Sequence, residues 1–315
     1  MIKILITGAN GQLGGVLTDA LRKKWGTQNV LATDIRDNTT NDPYFKLLDV
    51  TDYNALSKIV TEHHITEIYH MAAILSANGE KNPLQTWDIN MKTFFNVLEV
   101  SRQQNIHKIF FPSSIAVFGS DIKPEQCKQS SQLNPYTVYG ISKVAGEHWA
   151  NYYHEKYDLD IRSIRYPGVI GYQSLPGGGT TDYAVEIFYK AIEGRPFECF
   201  LQKDTALPMI FMDDAIRATI ELMEAPKEHL KIRTAYNISG LSFTPAELAS
   251  AIREVCPHFK IQYEPDFRQK IADTWPDSID DTDAQNDWNW KASFDLKAMT
   301  TVMIEKLQEA HPIGI

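Results

Sequence analysis

A doubly wound, parallel α/β sheet with a smaller C-terminal α/β lobe is the fold that this sequence of 315 residues predicts. Three observations predict it. Short β-branched runs alternate with longer helix-period stretches through the first half, which implies parallel strands, right-handed crossovers and a sheet covered on both faces. The first apolar run breaks into closely spaced glycines, MIKILITGANGQLGG, where such a fold turns from its first strand into its first helix. After about Tyr166 the alternation loosens into the breakers Pro167-Gly168 and Leu175-Pro-Gly-Gly-Gly-Thr-Thr181, which mark off a second half.

Taken in order, buried strands are predicted at Lys3–Thr7, Val30–Asp34, Glu67–Met71, Lys108–Pro112 and Ile161–Tyr166. The intervening helices are predicted at Gly11–Trp25, Asp52–His63, Pro83–Asn105 and Tyr139–Tyr157. In the second half a helix is expected to start near Thr181 or Asp182. Further helices are expected over Thr244–Val255, behind a Thr-Pro start, and over Leu296–Ala310. Ala235–Ser239 and Lys260–Glu264 are candidate strands. Residues 1–166 therefore read as one domain and 167–315 as a lobe closing over the sheet edge, with some segments returning to the sheet.

Bulk numbers narrow the function. Apolar residues make up 43% and charged residues 23%, as in an ordinary globular protein. A net charge of −9 argues against nucleic acid or an anionic membrane as partner. Three scattered cysteines without CxxC spacing suggest neither disulfides nor zinc and fit a reducing compartment. The first strand begins within two residues of Met1, leaving no room for a targeting peptide, and no apolar stretch is long enough for a bilayer. A cytoplasmic enzyme is the expectation. Six aspartates from Asp273 to Asp287 read as a solvated acidic segment rather than a metal site, and no metal is expected elsewhere.

The glycines have a physical purpose. Gly8 and Gly11 clear side chains from a helix N-terminus whose free N–H groups attract a pyrophosphate, and Gly14 lets helix and strand pack closely. The turn Gly8-Ala-Asn10-Gly11-Gln12-Leu13-Gly14 thus reads as a dinucleotide site of the Rossmann type. Asp34 ends the second strand 20 residues beyond Gly14, where a carboxylate takes the ribose 2′-OH and repels a 2′-phosphate, so NAD is expected. Arg36 complicates this, since an arginine accommodates phosphate. Ile35, Asp49, Val50 and Met71-Ala72-Ala73 follow strand ends where adenine and the linking phosphates would lie.

Tyr139 and Lys143 stand four residues apart, hence on one face if the stretch is helical. A tyrosine near pKa 10 is too weakly acidic to serve as a base at neutral pH, and a neighbouring ammonium favours its phenolate. Tyr139 is then expected to accept a proton from an alcohol, with Ser114, just past a strand, holding the substrate oxygen.

The set Thr7-Gly-x-x-Gly-x-x-Gly14, Ser113-Ser114-x-x-Val-Phe-Gly119 and Tyr139-x-x-x-Lys143 resembles the extended short-chain dehydrogenase/reductase family over essentially the whole chain. The resemblance implies that Ser114, Tyr139 and Lys143 are catalytic, that Lys143 also binds the nicotinamide ribose, and that Asn90 supports the proton-relay network. Arg165-Tyr-Pro-Gly168, Pro176–Val185 and Asp273–Asp281 further resemble the branch of that family that oxidises L-threonine. By that resemblance Ser76, Thr180, Thr181 and Asp182 lie beside the substrate, Tyr166-Pro167 flank the nicotinamide, and Trp275 closes the pocket. A small zwitterion needs hydroxyls and N–H groups for its carboxylate and an acceptor for its ammonium. Asp182 suits the latter, or is a helix cap instead. Trp275 equally fits plain core. The family also implies a homodimer. Two rival readings are a nucleotide-sugar epimerase or dehydratase on the same scaffold and a non-catalytic NAD-sensing regulator.

Overall fold

The computed structural model describes residues 2–38, 41–120, 127–177 and 179–310. The first half runs β1 (Ile4–Thr7), α1 (Gln12–Trp25), β2 (Val30–Asp34), β3 (Phe45–Leu47), α2 (Tyr53–Glu62) and β4 (Glu67–His70). It continues through α3 (Ser76–Gly79), α4 (Pro83–Gln104), β5 (Lys108–Ser114), α5 (Val138–Tyr157) and β6 (Asp160–Tyr166). Then come β7 (Gly168–Ile170), α6 (Tyr183–Ile192), β8 (Phe197–Cys199), β9 (Leu207–Phe211), α7 (Met212–Glu224) and β10 (Tyr236–Asn237). The last elements are β11 (Leu241–Phe243), α8 (Pro245–Val255), β12 (Ile261–Tyr263), α9 (Phe267–Ala272), α10 (Thr282–Trp288) and α11 (Leu296–Ala310).

Seven strands form one parallel sheet in the order β10-β6-β5-β4-β1-β2-β3. The expected doubly wound sheet is present, built of the five strands predicted in the first half, β3, and β10 from the candidate strand at 235–239. β3 was missed because only Phe45 is even half-buried, so it carries no apolar run. β10 is two residues long, inside the stretch predicted as a strand at 235–239. It pairs with β6 and brings the second half back into the sheet.

Both faces are covered. Ile4 and Ile6 pack with α1 and α7 residues such as Leu17 and Ala215, while Leu5 faces the opposite core with Leu56, Phe94 and Ala150 from α2, α4 and α5. Alternate residues of one strand therefore enter two cores, which is why β1 reads as an unbroken apolar run. A third core gathers α6, α8, α11 and the smaller sheets β11-β9-β7 and β12-β8.

Local chemistry sets the boundaries that matter here. Thr137 caps α5 two residues before Tyr139, its side-chain oxygen accepting from the Gly140 N–H at 3.0 Å, which starts the helix at Val138. Gly140 and Gly146 let that helix press on β5 and the turn after it. A Cβ at Gly140 would stand 2.1 Å from the Ala116 carbonyl oxygen, and one at Gly146 would stand 2.4 Å from the Phe111 ring.

The acidic segment 273–287 corrects an expectation. It is not simply solvated. Asp287 is buried and accepts from the Tyr236 hydroxyl at 2.7 Å and the Lys231 ammonium at 2.9 Å, and Asp281 accepts from the Ser239 N–H at 3.0 Å. These carboxylates tie α10 to the end of the large sheet.

Candidate active site

The glycine turn is as tight as its sequence demands. Gly8 has φ +71°, and a Cβ there would lie 2.6 Å from the Ala72 backbone nitrogen. A Cβ at Gly14 would lie 2.2 Å from the Gly8 carbonyl oxygen, so any side chain forces α1 off β1. Gly11 caps α1 without a side chain to accept from the first turn. The N–H groups of Gln12, Leu13 and Gly14 thus stay available to an anion, and all three residues line a cavity of about 230 Å³.

Asp34 is buried at the end of β2 and bridges the turn to the chain beyond. Its Oδ2 accepts from the Asn10 N–H and its Oδ1 from the Arg36 N–H, each at 3.0 Å. The Arg36 guanidinium leans back on the same carboxylate at 3.5 Å. A carboxylate offers about four acceptor sites, so a ribose hydroxyl fits beside these amides. Exposed Ile35 and Asp49 and buried Val50 follow β2 and β3, apart from the walls of the 230 Å³ cavity.

The cavity lies at the carboxyl ends of the large sheet's central strands. Ser114 ends β5, and Tyr139 and Lys143 project from the first turns of α5. Met71, Ala73, Ser76, Tyr166, Pro167, Thr180, Thr181, Asp182 and Trp275 complete the predicted set in its walls. Leu75, Ile115, Gly168, Val169 and Gly179 also line it, and were not singled out because apolar and glycine loop residues carry no chemical mark in a sequence.

Asn90 does not line that cavity. Its Oδ1 accepts from the Ile74 N–H at 2.8 Å and its Nδ2 donates to the Ile74 carbonyl at 3.1 Å and the Ser142 hydroxyl at 3.3 Å. It clamps the loop after β4 against α5.

Thr180 is 1% exposed, and its hydroxyl has no partner among the described residues. Asp182 is the N-cap of α6, yet its carboxylate accepts from the Gly179 N–H at 2.8 Å and not from the helix, so the capping alternative fails in its usual form. The Gly-rich turn before it includes Gly178, which lies outside the described residues. Trp275 belongs to both alternatives: it packs between two apolar clusters and presents itself to the cavity.

The electrostatics revise one expectation. Burial pushes the Tyr139 phenol up to about 12, offset in part by its hydrogen bond with Ser114. Burial also pushes the Lys143 ammonium down to about 7, with the Glu147 carboxylate pulling it back up. Lys143 therefore does not simply acidify its neighbour, as the spacing suggested, because removing both groups from water costs more than their proximity returns. Its Nζ donates to the Pro112 carbonyl at 2.6 Å and stands 4.6 Å from the centre of the Phe111 ring and 5.3 Å from that of Tyr139. The acidic proton of the pair is the one on nitrogen.

Among the described residues, no cluster of three or more His, Cys, Asp or Glu could hold a metal ion. No described helix is long and apolar enough to cross a membrane.

Residues 4–239 match the model of the NAD dependent epimerase/dehydratase family. The chain belongs to that family. Among solved structures it is similar to a partial-consensus L-threonine 3-dehydrogenase, at 53% identity and a TM-score of 0.96, covering 98% of this chain and 99% of that one. It is also similar to a GalE-like L-threonine dehydrogenase from Cupriavidus necator in its holo form, at 52% identity and a TM-score of 0.95, covering 97% and 99%. A monomeric L-threonine 3-dehydrogenase from a metagenome is 46% identical, with a TM-score of 0.95 and coverage of 98% and 99%. This member of the epimerase/dehydratase family is an NAD-dependent enzyme. Its glycine-bearing turn, with no side-chain cap at Gly11, fits the cofactor: the N–H groups of residues 12–14 would hold the pyrophosphate and Asp34 the adenosine ribose, with Lys143, Tyr166 and Pro167 at the nicotinamide end.

Proposed function

We propose that this enzyme oxidises the 3-hydroxyl of L-threonine to 2-amino-3-oxobutanoate. One observation carries the reading: Ser114, Tyr139 and Lys143 share a 230 Å³ cavity with Thr180, whose buried hydroxyl has no partner among the described residues. The solved relatives described as L-threonine dehydrogenases support it. NAD⁺, when bound, supplies the hydride acceptor. Ser114 orients the substrate hydroxyl, and Tyr139 takes its proton as general base. Lys143 shares that proton with the phenol and holds the charge that develops on it. Thr180, Thr181 and Ser76 offer hydroxyls to the substrate carboxylate, and Asp182 offers an acceptor to the ammonium. A cavity of this size, shared with a nicotinamide ring, suits an amino acid better than a sugar diphosphate.

The division of labour between residues 1–166, which hold the cofactor, and 167–315, which shape the substrate side, is part of this proposal. So is a homodimer built on α4 and α5, which carry the exposed Leu84, Ile141, Trp149, Tyr152 and Tyr157. Sedimentation of the wild type against Trp149→Glu tests it: a wild type already monomeric refutes the dimer. The protein is expected to act in the cytoplasm in threonine breakdown.

Tyr139→Phe tests the chemistry. Calorimetry should show NAD binding nearly unchanged while NADH production from L-threonine is abolished. Wild-type turnover in that variant removes Tyr139 as the base. NADH formation from UDP- or dTDP-sugars and not from L-threonine would replace the substrate.

A further inference from the structure

One buried polar cluster outside the reacting groups joins several walls of the catalytic corner. Glu147 lies on α5 one turn beyond Lys143 and is 0% exposed. Its Oε1 accepts from the Ser113 hydroxyl at 2.6 Å and from Arg165 Nε at 2.9 Å, and its Oε2 accepts from Arg165 Nη2 at 2.7 Å. Arg165 Nη1 continues to Asn237 Oδ1 on β10 at 3.1 Å and to the Gln129 carbonyl at 3.3 Å. One carboxylate thus fastens the catalytic helix to β5 beside Ser114 and to β6 beside Tyr166. A buried ion pair is a poor source of stability, because desolvating two charges offsets their attraction. Its position here has a better explanation.

We propose that Glu147 is a positioning residue for the reaction: its buried carboxylate, one helical turn beyond Lys143, draws the proton shared with Tyr139 toward the Lys143 nitrogen and, through Ser113, fixes Ser114 against α5. The proposal rests on the reading that Tyr139 and Lys143 carry the chemistry. Asp182 lines the same cavity but is held by the Gly179 N–H, and the other described groups around Lys143 leave this task to Glu147. On α5 the other titratable neighbour is Tyr139, whose phenol burial pushes up to about 12 and which shares its proton with Lys143. At the end of β4, burial pushes His70 down to about 3, so it stays neutral, bound to the Thr7 hydroxyl at 2.9 Å. β5 offers only the Pro112 carbonyl and the Phe111 ring, and α4 contributes the uncharged Asn90. Arg165 on β6 stands behind the carboxylate, and its remaining bonds run to Asn237 and Gln129. Glu147 is the charge that raises Lys143 against burial.

Glu147→Gln keeps the shape and the bond from Ser113 while removing the charge. The ionisation of Lys143 is read in the full-length protein by trace acetylation across pH, with the Lys143 peptide quantified by mass spectrometry. kcat/KM for L-threonine oxidation is measured over the same range. Lys143 should titrate about one pH unit lower, and the acid limb of kcat/KM should move down with it. Ser113→Ala breaks the same tether without changing a charge and should leave both titrations in place.

Because Glu147→Gln strands Arg165 without its counter-charge, the double variant Glu147→Leu/Arg165→Met removes both charges together and keeps the test open if the single variant does not fold. The same downward movement is expected, since the carboxylate is the charge on the helix of Lys143. An unmoved Lys143 titration in either folded variant overturns the proposal. A moved titration with an unmoved kcat/KM profile leaves the field of Glu147 standing and removes Lys143 from the reaction.

Discussion

Replacing Lys143 with methionine tests the proton-sharing pair most directly. The substitution keeps the length of the side chain and its packing on Phe111, and deletes the ammonium. In the wild type the first proton to leave is the one on Lys143, at about 7, whereas Tyr139 on its own holds its proton to about 12. The two groups stand close enough for the break near 7 to belong to the pair, which then carries a single proton between nitrogen and phenol. The sign follows: kcat/KM for oxidation should fall tenfold per pH unit below about pH 7 and level off above it. Without the ammonium, only the phenol titrates. At pH 8 a phenol with its pKa at about 12 is ionised in about one molecule in ten thousand. Lys143→Met should therefore lose the break near neutrality, with kcat/KM rising about tenfold per pH unit through pH 8 and on past pH 10, where the wild type is level. Initial rates of NADH formation from L-threonine between about pH 5.5 and about 10.5 measure both the break and the slope. Calorimetry with NAD separates any loss of cofactor contact. A variant that keeps its break near pH 7, or a deficit that is the same at every pH, refutes the shared-proton argument.

Other consequences are simpler to check. Gly8→Ala places a side chain at φ +71° and a Cβ 2.6 Å from the Ala72 nitrogen. The left-handed conformation alone costs about 1–2 kcal/mol, so the melting temperature should drop and calorimetric NAD affinity should fall by about tenfold or more. Thr180→Val removes a buried hydroxyl that has no partner among the described residues. Thermal stability should hold or rise, while KM for L-threonine rises by about tenfold, the worth of one hydrogen bond. Asp34→Ala removes the charge expected to repel a 2′-phosphate, so the ratio of kcat/KM with NAD to that with NADP should drop. An unchanged ratio would take Asp34 out of cofactor choice.

The legible parts of the molecule were those where backbone demands restrict residue type. Gly8 and Gly14 announce the turn because no side chain fits beside Ala72 or the Gly8 carbonyl. The Tyr139–Lys143 spacing announces one helix face, and Thr137 supplies the cap that makes the helix. β3 and α7 were not legible. β3 is a short edge strand with exposed Lys46 and Leu47. α7 follows β9 without a single intervening residue, so no Gly or Pro marks the change of period. The influence of burial on Lys143 was equally hidden. Spacing says which groups meet, but not how much water is excluded around them. Glu147 and Arg165 read as ordinary charged residues, one on a helix and one before Tyr166, and their bond spans 18 positions of sequence.

The pairing of β10 with β6, and the seat of α7 and Trp288 against the sheet, set an order of events at the ribosome. When residue 166 emerges, every glycine of the dinucleotide turn has been made, yet one face of β1 and β5 still lacks the α7 side chains that bury it, and β6 has a bare edge. Those groups arrive only with residues 212–224 and 236–237. The amino-terminal half must wait, partly uncovered, for well over forty further residues before its own sheet is shielded from water. A truncation at the boundary between the halves should therefore yield aggregates rather than a portable nucleotide-binding module.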